Sequence, residues 1–255
     1  MTMGVLNAQQ RRDYEQAGYL LVSGLIPADI AARAETAMWR IMGMDRDDAA
    51  TWSRRPEGGA DFQPERGLSV HNGLQDCELM ACATPEYLRA TAELLGEERV
   101  HPPQAVHTQN KVPITAAWTW PSPHVDGIPK EHMHRTFPGP YRIASLVFLS
   151  DVAPGGGGTA VWPGSHRKIR ALAESDPEKY AFLYQVNRDI PSLDLGDPVE
   201  LTPRCGDVLF FQHLFGHNGT ANVGVRPRWM MRYFCGCTVC CKRWKKTDQW
   251  GLWTP

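Results

Sequence analysis

Hydrophobic positions change their spacing along the chain. Through roughly the first hundred residues they recur at helical intervals; beyond that they come in short runs separated by turn residues. Asn7 with Gln10 predicts a capping-box start to a helix that stops at Gly18. Tyr19-Leu20-Leu21-Val22 reads as a buried strand. Ile26-Pro27 opens a second helix, in which Ile30, Ala34, Met38 and Ile41 fall on one face while Arg33, Glu35 and Arg40 lie elsewhere. From Met44 to Leu68 the chain is charged, aperiodic and broken by Gly and Pro, which predicts a surface excursion or a lid. Thr84-Pro85 begins a third helix that Gly96 ends.

The remaining segments are short and β-rich: Val100–Val112, Arg142–Leu149, Thr159–Trp162, Val199–Leu201, Val208–Gln212 and Arg228–Phe234. Helices followed by many short strands predict an antiparallel sheet domain with helices packed outside it. Gly155–Gly158 is a tight turn before a strand and not a phosphate loop, because no helix and no Gly-Lys-Ser/Thr follows. The 23 Gly and 20 Pro fit a fold of many turns. A net charge of −1 argues against a general nucleic-acid or membrane-surface role. No apolar run reaches the ~18 residues of a membrane span, and the start carries no signal-peptide pattern. With seven cysteines and no export signal, reduced thiols in a cytoplasmic protein are expected.

Chemistry concentrates at Pro123-His124-Val125-Asp126-Gly127. In a strand, His124 and Asp126 would point to one face and form two thirds of a 2-His-1-carboxylate site for non-haem Fe(II). The C-terminal third supplies a second imidazole and a cation. Gly206–Phe211 reads as a turn and a buried strand leading to His213 and His217; Asn218–Gly224 is rich in turn formers; Arg228–Arg232 is again β-like. A hairpin centred between Asn222 and Val223 would set His217 opposite Arg228, about 5 Å apart at Cβ. Moving the turn by one or two residues would bring in Arg226 or Arg232 instead. A 2-oxo acid can occupy two open metal positions, leaving its far carboxylate for a guanidinium fork and the last position for O2.

These segments resemble the phytanoyl-CoA dioxygenase-like family of Fe(II)/2-oxoglutarate oxygenases. The likeness runs from Tyr14–Val22 through His124-Val125-Asp126, Gly157–His166 and Gly206–Phe211 to His217, Asn222 and Arg226-Pro227-Arg228. It implies a mainly β fold with a double-stranded β-helix (jelly-roll, cupin-like) core. It further implies His124, Asp126 and His217 as iron ligands and catalytic centre, and Arg228 on the 2-oxoglutarate tail carboxylate. Gln109 and Lys111, from the strand before the His-x-Asp pair, and Thr159 are expected near the cosubstrate. The expected reaction consumes O2 and 2-oxoglutarate, releases succinate and CO2, and hydroxylates or otherwise oxidises a small molecule. The whole chain, 1–255, is expected to be one such domain: a helical part to about 98, a jelly-roll core over about 99–238, and a basic tail over 239–255. A monomer or homodimer is expected.

Two rival classes share some of these residues: a non-catalytic cupin-like binding protein, and a zinc-dependent hydrolase using His213 and His217. Trp120, His132, His134 and Arg135 are candidates to meet substrate, although His132–Arg135 also reads as loop surface, and Trp118, Trp120 and Tyr141 read equally as an aromatic wall or as core. His166 reads as turn structure. Cys235-x-Cys237-x-x-Cys240-Cys241 resembles pieces of metal sites but lacks a repeated CxxC pair, so packed or surface thiols are expected.

Overall fold

The computed structural model describes residues 4–56, 60–96, 100–126, 136 and 142–236. The first helix, α1 (Ala8–Ala17), has the capping box foreseen: the Asn7 side chain accepts from Gln10 N–H, and Gly18 closes it in the left-handed region at φ 84°. Strand β1 (Tyr19–Val22) follows, then α2 (Ala28–Met42) with Ala34 and Met38 fully buried and Gly43 as its cap. The excursion beyond Met44 is more structured than its composition suggests. It holds β2 (Asp61–Gln63) and a 3-10 turn, Pro64–Arg66, that leads into β3 (Leu68–Leu74). Three strands therefore precede residue 98. Short α3 (Cys77–Met80) and α4 (Pro85–Leu95) complete this part, α4 starting on the Thr84 cap and ending at Gly96.

Then come β4 (Val106–Lys111), β5 (Arg142–Phe148), β6 (Thr159–Val161), β7 (Val199–Leu201), β8 (Val208–Phe211), β9 (His217–Gly219) and β10 (Met230–Gly236). Between β6 and β7 stand two helices outside the elements expected, α5 (Ser165–Ser175) and α6 (Leu183–Asp189). His166 is accordingly a residue of the first turn of α5 and not part of a loop turn. Its ring packs on Gly18, where an added Cβ would come within 2.3 Å of His166 Nδ1.

The strands form two antiparallel sheets. Seven run in the order β1-β8-β5-β10-β4-β3-β2 and three in the order β7-β6-β9, giving the jelly-roll core expected. Period-two alternation sorts the side chains. On β8, Val208 and Phe210 face α2 and α4, whereas Leu209 and Phe211 face the small sheet together with Val161, Phe148 and Met230. On β10, Met231 and Tyr233 take the helical side while Met230 takes the inner side. A third cluster joins α5 and α6 to Val125, Ala160 and Trp162.

Asp207, just before β8, fastens the frame from both oxygens. One accepts from Gly24 N–H and the other from Arg204 N–H, each at 2.8 Å. No helix among the described residues is long and apolar enough to cross a membrane.

Candidate metal centre

The open end of the two sheets encloses a cavity of about 440 Å³. His124 does not lie in a regular strand. It makes an isolated antiparallel bridge to His217, through His124 N–H to His217 O at 3.1 Å and His217 N–H to His124 O at 3.0 Å. The consequence foreseen for a strand survives, because one extended residue is enough to alternate side chains. Val125 is buried in the cluster under α6, and His124 and Asp126 both line the cavity. Asp126 Oδ1 is 3.5 Å from His217 Nε2 and 3.9 Å from His124 Nε2. One ligand atom from each of the three residues lies within 4.8 Å of the others.

Neighbouring groups orient each member of this triad. His217 Nδ1 lies 3.0 Å from Phe215 O, which can only accept, so Nδ1–H donates there and Nε2 is the nitrogen left for the cavity. Its ring is held against Phe211, with centroids 4.4 Å apart. Arg232 donates to Asp126 Oδ2 at 2.6 Å, leaving Oδ1 toward the imidazoles. Burial by itself would raise the Asp126 carboxyl, but Arg232, His217 and His124 overrule it and hold the group well below the usual carboxylate range. Burial, aided by His217, lowers His124 to about 4, so its imidazole is neutral at physiological pH. Two imidazole nitrogens and one anionic oxygen are a donor set that suits non-haem Fe(II).

Arg228 reaches the cavity by a different route from the one expected. The expected pairing of His217 with Arg228 in a hairpin is wrong. His217 pairs with Val161 of β6, and Arg228 bridges Lys111 at the end of β4. The two belong to opposite sheets and meet because both sheets wall the same cavity. Asn222 organises the intervening turn, donating to Lys111 O at 3.1 Å and to Arg226 O at 2.8 Å. The guanidinium of Arg228 is buried and fixed by donation to Gly157 O at 2.8 Å and to Gln109 O. Burial lowers it to about 9, which leaves it charged at neutral pH.

Lys111 lies buried beside it, donating to Gly219 O at 3.1 Å and to Thr220 O. Burial, then Arg228, lowers Lys111 to about 7. Gln109 and Thr159 also line the cavity.

The remaining expected residues stand away from the cavity lining or outside the described residues. Trp120 is exposed, packs edge-on against Trp118 with centroids 4.7 Å apart, and is not among the residues lining the cavity. His132, His134, Arg135 and Tyr141 lie outside the described residues, as do Cys237, Cys240, Cys241 and the tail. His213 stands apart from the triad. The backbone turns at Leu214 with φ 62°, and the His213 ring meets Thr136 O at 3.3 Å. Sequence reasoning missed Arg66, which reaches the cavity from the 3-10 turn, and kept Arg232 only as an alternative register. The signal for Arg232 was present: positions 228, 230 and 232 share one face of an extended chain.

The profile of the phytanoyl-CoA dioxygenase (PhyH) family matches residues 14–230. The chain belongs to the PhyH family. That membership places it among oxidoreductases. No curated protein matches this PhyH chain in sequence. Among solved structures, it is similar to the epimerase SnoN in complex with Fe3+, alpha ketoglutarate and nogalamycin RO. The two are 17% identical with a TM-score of 0.65 over 90% of this chain and 82% of that one. It is also similar to EctD from S. alaskensis with 2-oxoglutarate and 5-hydroxyectoine, at 16% identity and TM-score 0.63, over 94% of this chain and 79% of that one. HygX from Streptomyces hygroscopicus, with nickel, 2-oxoglutarate and hygromycin B bound, is 14% identical with a TM-score of 0.57 over 91% of this PhyH chain and 88% of that one. What these share with the present chain is the fold.

Proposed function

We propose that this chain is an Fe(II)- and 2-oxoglutarate-dependent dioxygenase that oxidises a small molecule, hydroxylation being the simplest outcome, with release of succinate and CO2. The observation that carries this reading is the convergence of His124, Asp126 and His217 in one cavity with the buried, charged Arg228. Bound iron would couple O2 reduction to decarboxylation of 2-oxoglutarate and oxidation of the second substrate. The protein's part is to hold the ion through His124 Nε2, His217 Nε2 and Asp126 Oδ1, and to receive the cosubstrate's distal carboxylate at Arg228. The Arg228 fork already spends one N–H on Gly157 O and one on Gln109 O, which fixes its plane and leaves donors for a carboxylate.

Anaerobic addition of Fe(II) and 2-oxoglutarate should give the weak visible charge-transfer band of a chelated keto acid. Absence of the band in the wild type, with no succinate formed once O2 is admitted, would defeat the proposal. A purely binding, cupin-like protein would form the complex but no succinate. A hydrolase built on His213 and His217 has no support here, because His213 does not approach the triad.

Lys111 adds a pH dependence whose sign follows from its position. Below about pH 7 its ammonium adds positive charge beside Arg228, and above about pH 7 that charge is lost. Affinity for the 2-oxoglutarate dianion should therefore be level below pH 7 and fall by up to about tenfold per pH unit above it, until the higher pKa of the complex is reached. Anaerobic titration of the Fe(II) protein between pH 6 and 8.5 checks this, and Lys111→Met should flatten the profile. In the free protein the same burial works in the opposite direction. The unfolded chain binds the extra proton between pH 7 and the ordinary lysine range, so this group's contribution to stability rises with pH across that window.

A further inference from the structure

The segment that carries His124 and Asp126 is a single extended stretch outside either sheet, so something other than a ladder must hold it. In an extended chain, successive residues turn their N–H and C=O groups to opposite edges. His124 uses one edge, exchanging both backbone hydrogen bonds with His217. Val125 presents the other edge, and among the described residues no strand lies there. Its place is taken by one side chain, Asn187 of α6. Val125 N–H donates to Asn187 Oδ1 at 2.7 Å, and Asn187 Nδ2 donates to Val125 O at 3.0 Å. A carboxamide carries the same donor and acceptor as a peptide unit, so Asn187 acts as a one-residue strand.

We infer that Asn187 is a positioning residue of the metal centre, completing the backbone pairing that fixes the rotation of the His124–Asp126 segment and so the convergence of its two ligand atoms on His217. The inference rests on the proposed Fe(II) reading of the triad. Two further contacts point the same way. The Val125 side chain is fully buried in the cluster formed with Leu183, Val186 and Ile190, so helix and segment are keyed together on both sides of the amide pair. Farther along, Thr136 N–H donates to Ala181 O at 3.0 Å, just before α6. The α5–α6 insertion thus backs the ligand segment on the side away from β9. Rotation of Val125 about its extended axis would swing His124 and Asp126 together, and the Asn187 pair opposes that rotation directly. Neither aspartate nor alanine can replace asparagine here, since aspartate cannot donate to Val125 O and alanine offers neither group.

The test uses the full, metal-free chain with Co(II) as the probe, titrated at a temperature well below each variant's Tm. Asn187→Ala should weaken Co(II) binding by about 10- to 100-fold, the range seen when a group orienting metal ligands is lost. Hydrogen exchange at the Val125 amide should accelerate in the metal-free protein. Arg188→Ala, which removes an exposed side chain on the same helix, should change neither. Asn187→Asp keeps size and the acceptor for Val125 N–H but loses the donor, so it should also weaken Co(II) and serves if the alanine variant does not fold. A folded Asn187→Ala or Asn187→Asp protein that binds Co(II) within about twofold of wild type overturns the inference. If instead His217→Ala leaves Co(II) binding intact, it is the underlying metal reading that fails, and the two failures are told apart.

Discussion

Replacing Asp126 with alanine is expected to weaken Fe(II) binding by more than about a hundredfold and to abolish succinate formation. Groups that only orient metal ligands account for losses of about 10- to 100-fold, so removal of the single anionic ligand must exceed that range. The change also takes from Arg232 the carboxylate it meets at 2.6 Å, so less negative charge offsets that guanidinium beside the metal position. Both effects act against a dication. Anaerobic equilibrium titration with Fe(II) measures the first, and Asp126→Glu separates charge from placement. Glutamate restores the charge but moves the oxygen by a methylene, so it should recover part of the affinity and little of the turnover. An Asp126→Ala protein that bound Fe(II) as tightly as wild type would remove the carboxylate from the ligand set.

The second large effect is expected at Arg228. Alanine there should raise the KM for 2-oxoglutarate by about a hundredfold or more, because a charge-assisted hydrogen bond is worth about 1.5–3 kcal/mol and the fork can offer two. Fe(II) affinity in the absence of cosubstrate should change little, which separates this loss from that of Asp126. Lysine should not restore the KM, since a point charge on a flexible stem cannot reproduce the fixed plane held by Gly157 O and Gln109 O. Some loss of stability accompanies either change, because those two carbonyls lose a donor in a buried place. Steady-state kinetics at saturating Fe(II), with Tm recorded alongside, checks both. An unchanged KM in Arg228→Ala would move the cosubstrate carboxylate to another cation.

How much of this was legible in the chain depended on the range of the forces involved. Helix α1 was readable to the residue because its cap, Asn7 with Gln10, and its stop, Gly18, act within a few positions of themselves. Strand β8 was readable because a buried run between turn residues has few alternatives. The pair α5 and α6 escaped because α5 has no side-chain cap to announce its start, opening behind Gly164 at φ 75°. The strand inside 61–63 escaped because three residues of mixed polarity show no period, and only pairing with β3 makes them a strand.

At the site, the types and spacing of His124, Asp126, His217 and Arg228 were enough to predict that they meet, and the structure does bring them together. The route was misread. A symmetric hairpin is the shortest way to put His217 beside Arg228, but β9 pairs with β6 in the small sheet while Arg228 leads into β10 of the large one. Arg232 was within reach of the period-two rule once Arg228 and Met230 were assigned to the inner face. Asn187 was not, since sixty-two positions separate it from Val125 and neither residue advertises the other.

By itself, the sequence determined the local decisions and the inventory of chemistry: where α1, α2 and α4 begin and end, that the C-terminal part is short strands, and which imidazoles, carboxylate and guanidinium a ferrous site would draw on. The tertiary structure alone decided which edge of each strand is occupied, and hence that Arg232 caps Asp126, that Lys111 loses its proton easily, and that an asparagine side chain replaces a missing strand beside Val125. The physical reason is the difference in reach. Caps and periodicity are set by neighbours a few residues away, whereas pairing and burial are set by whichever distant segment fills the space, and the chain does not name that segment in advance.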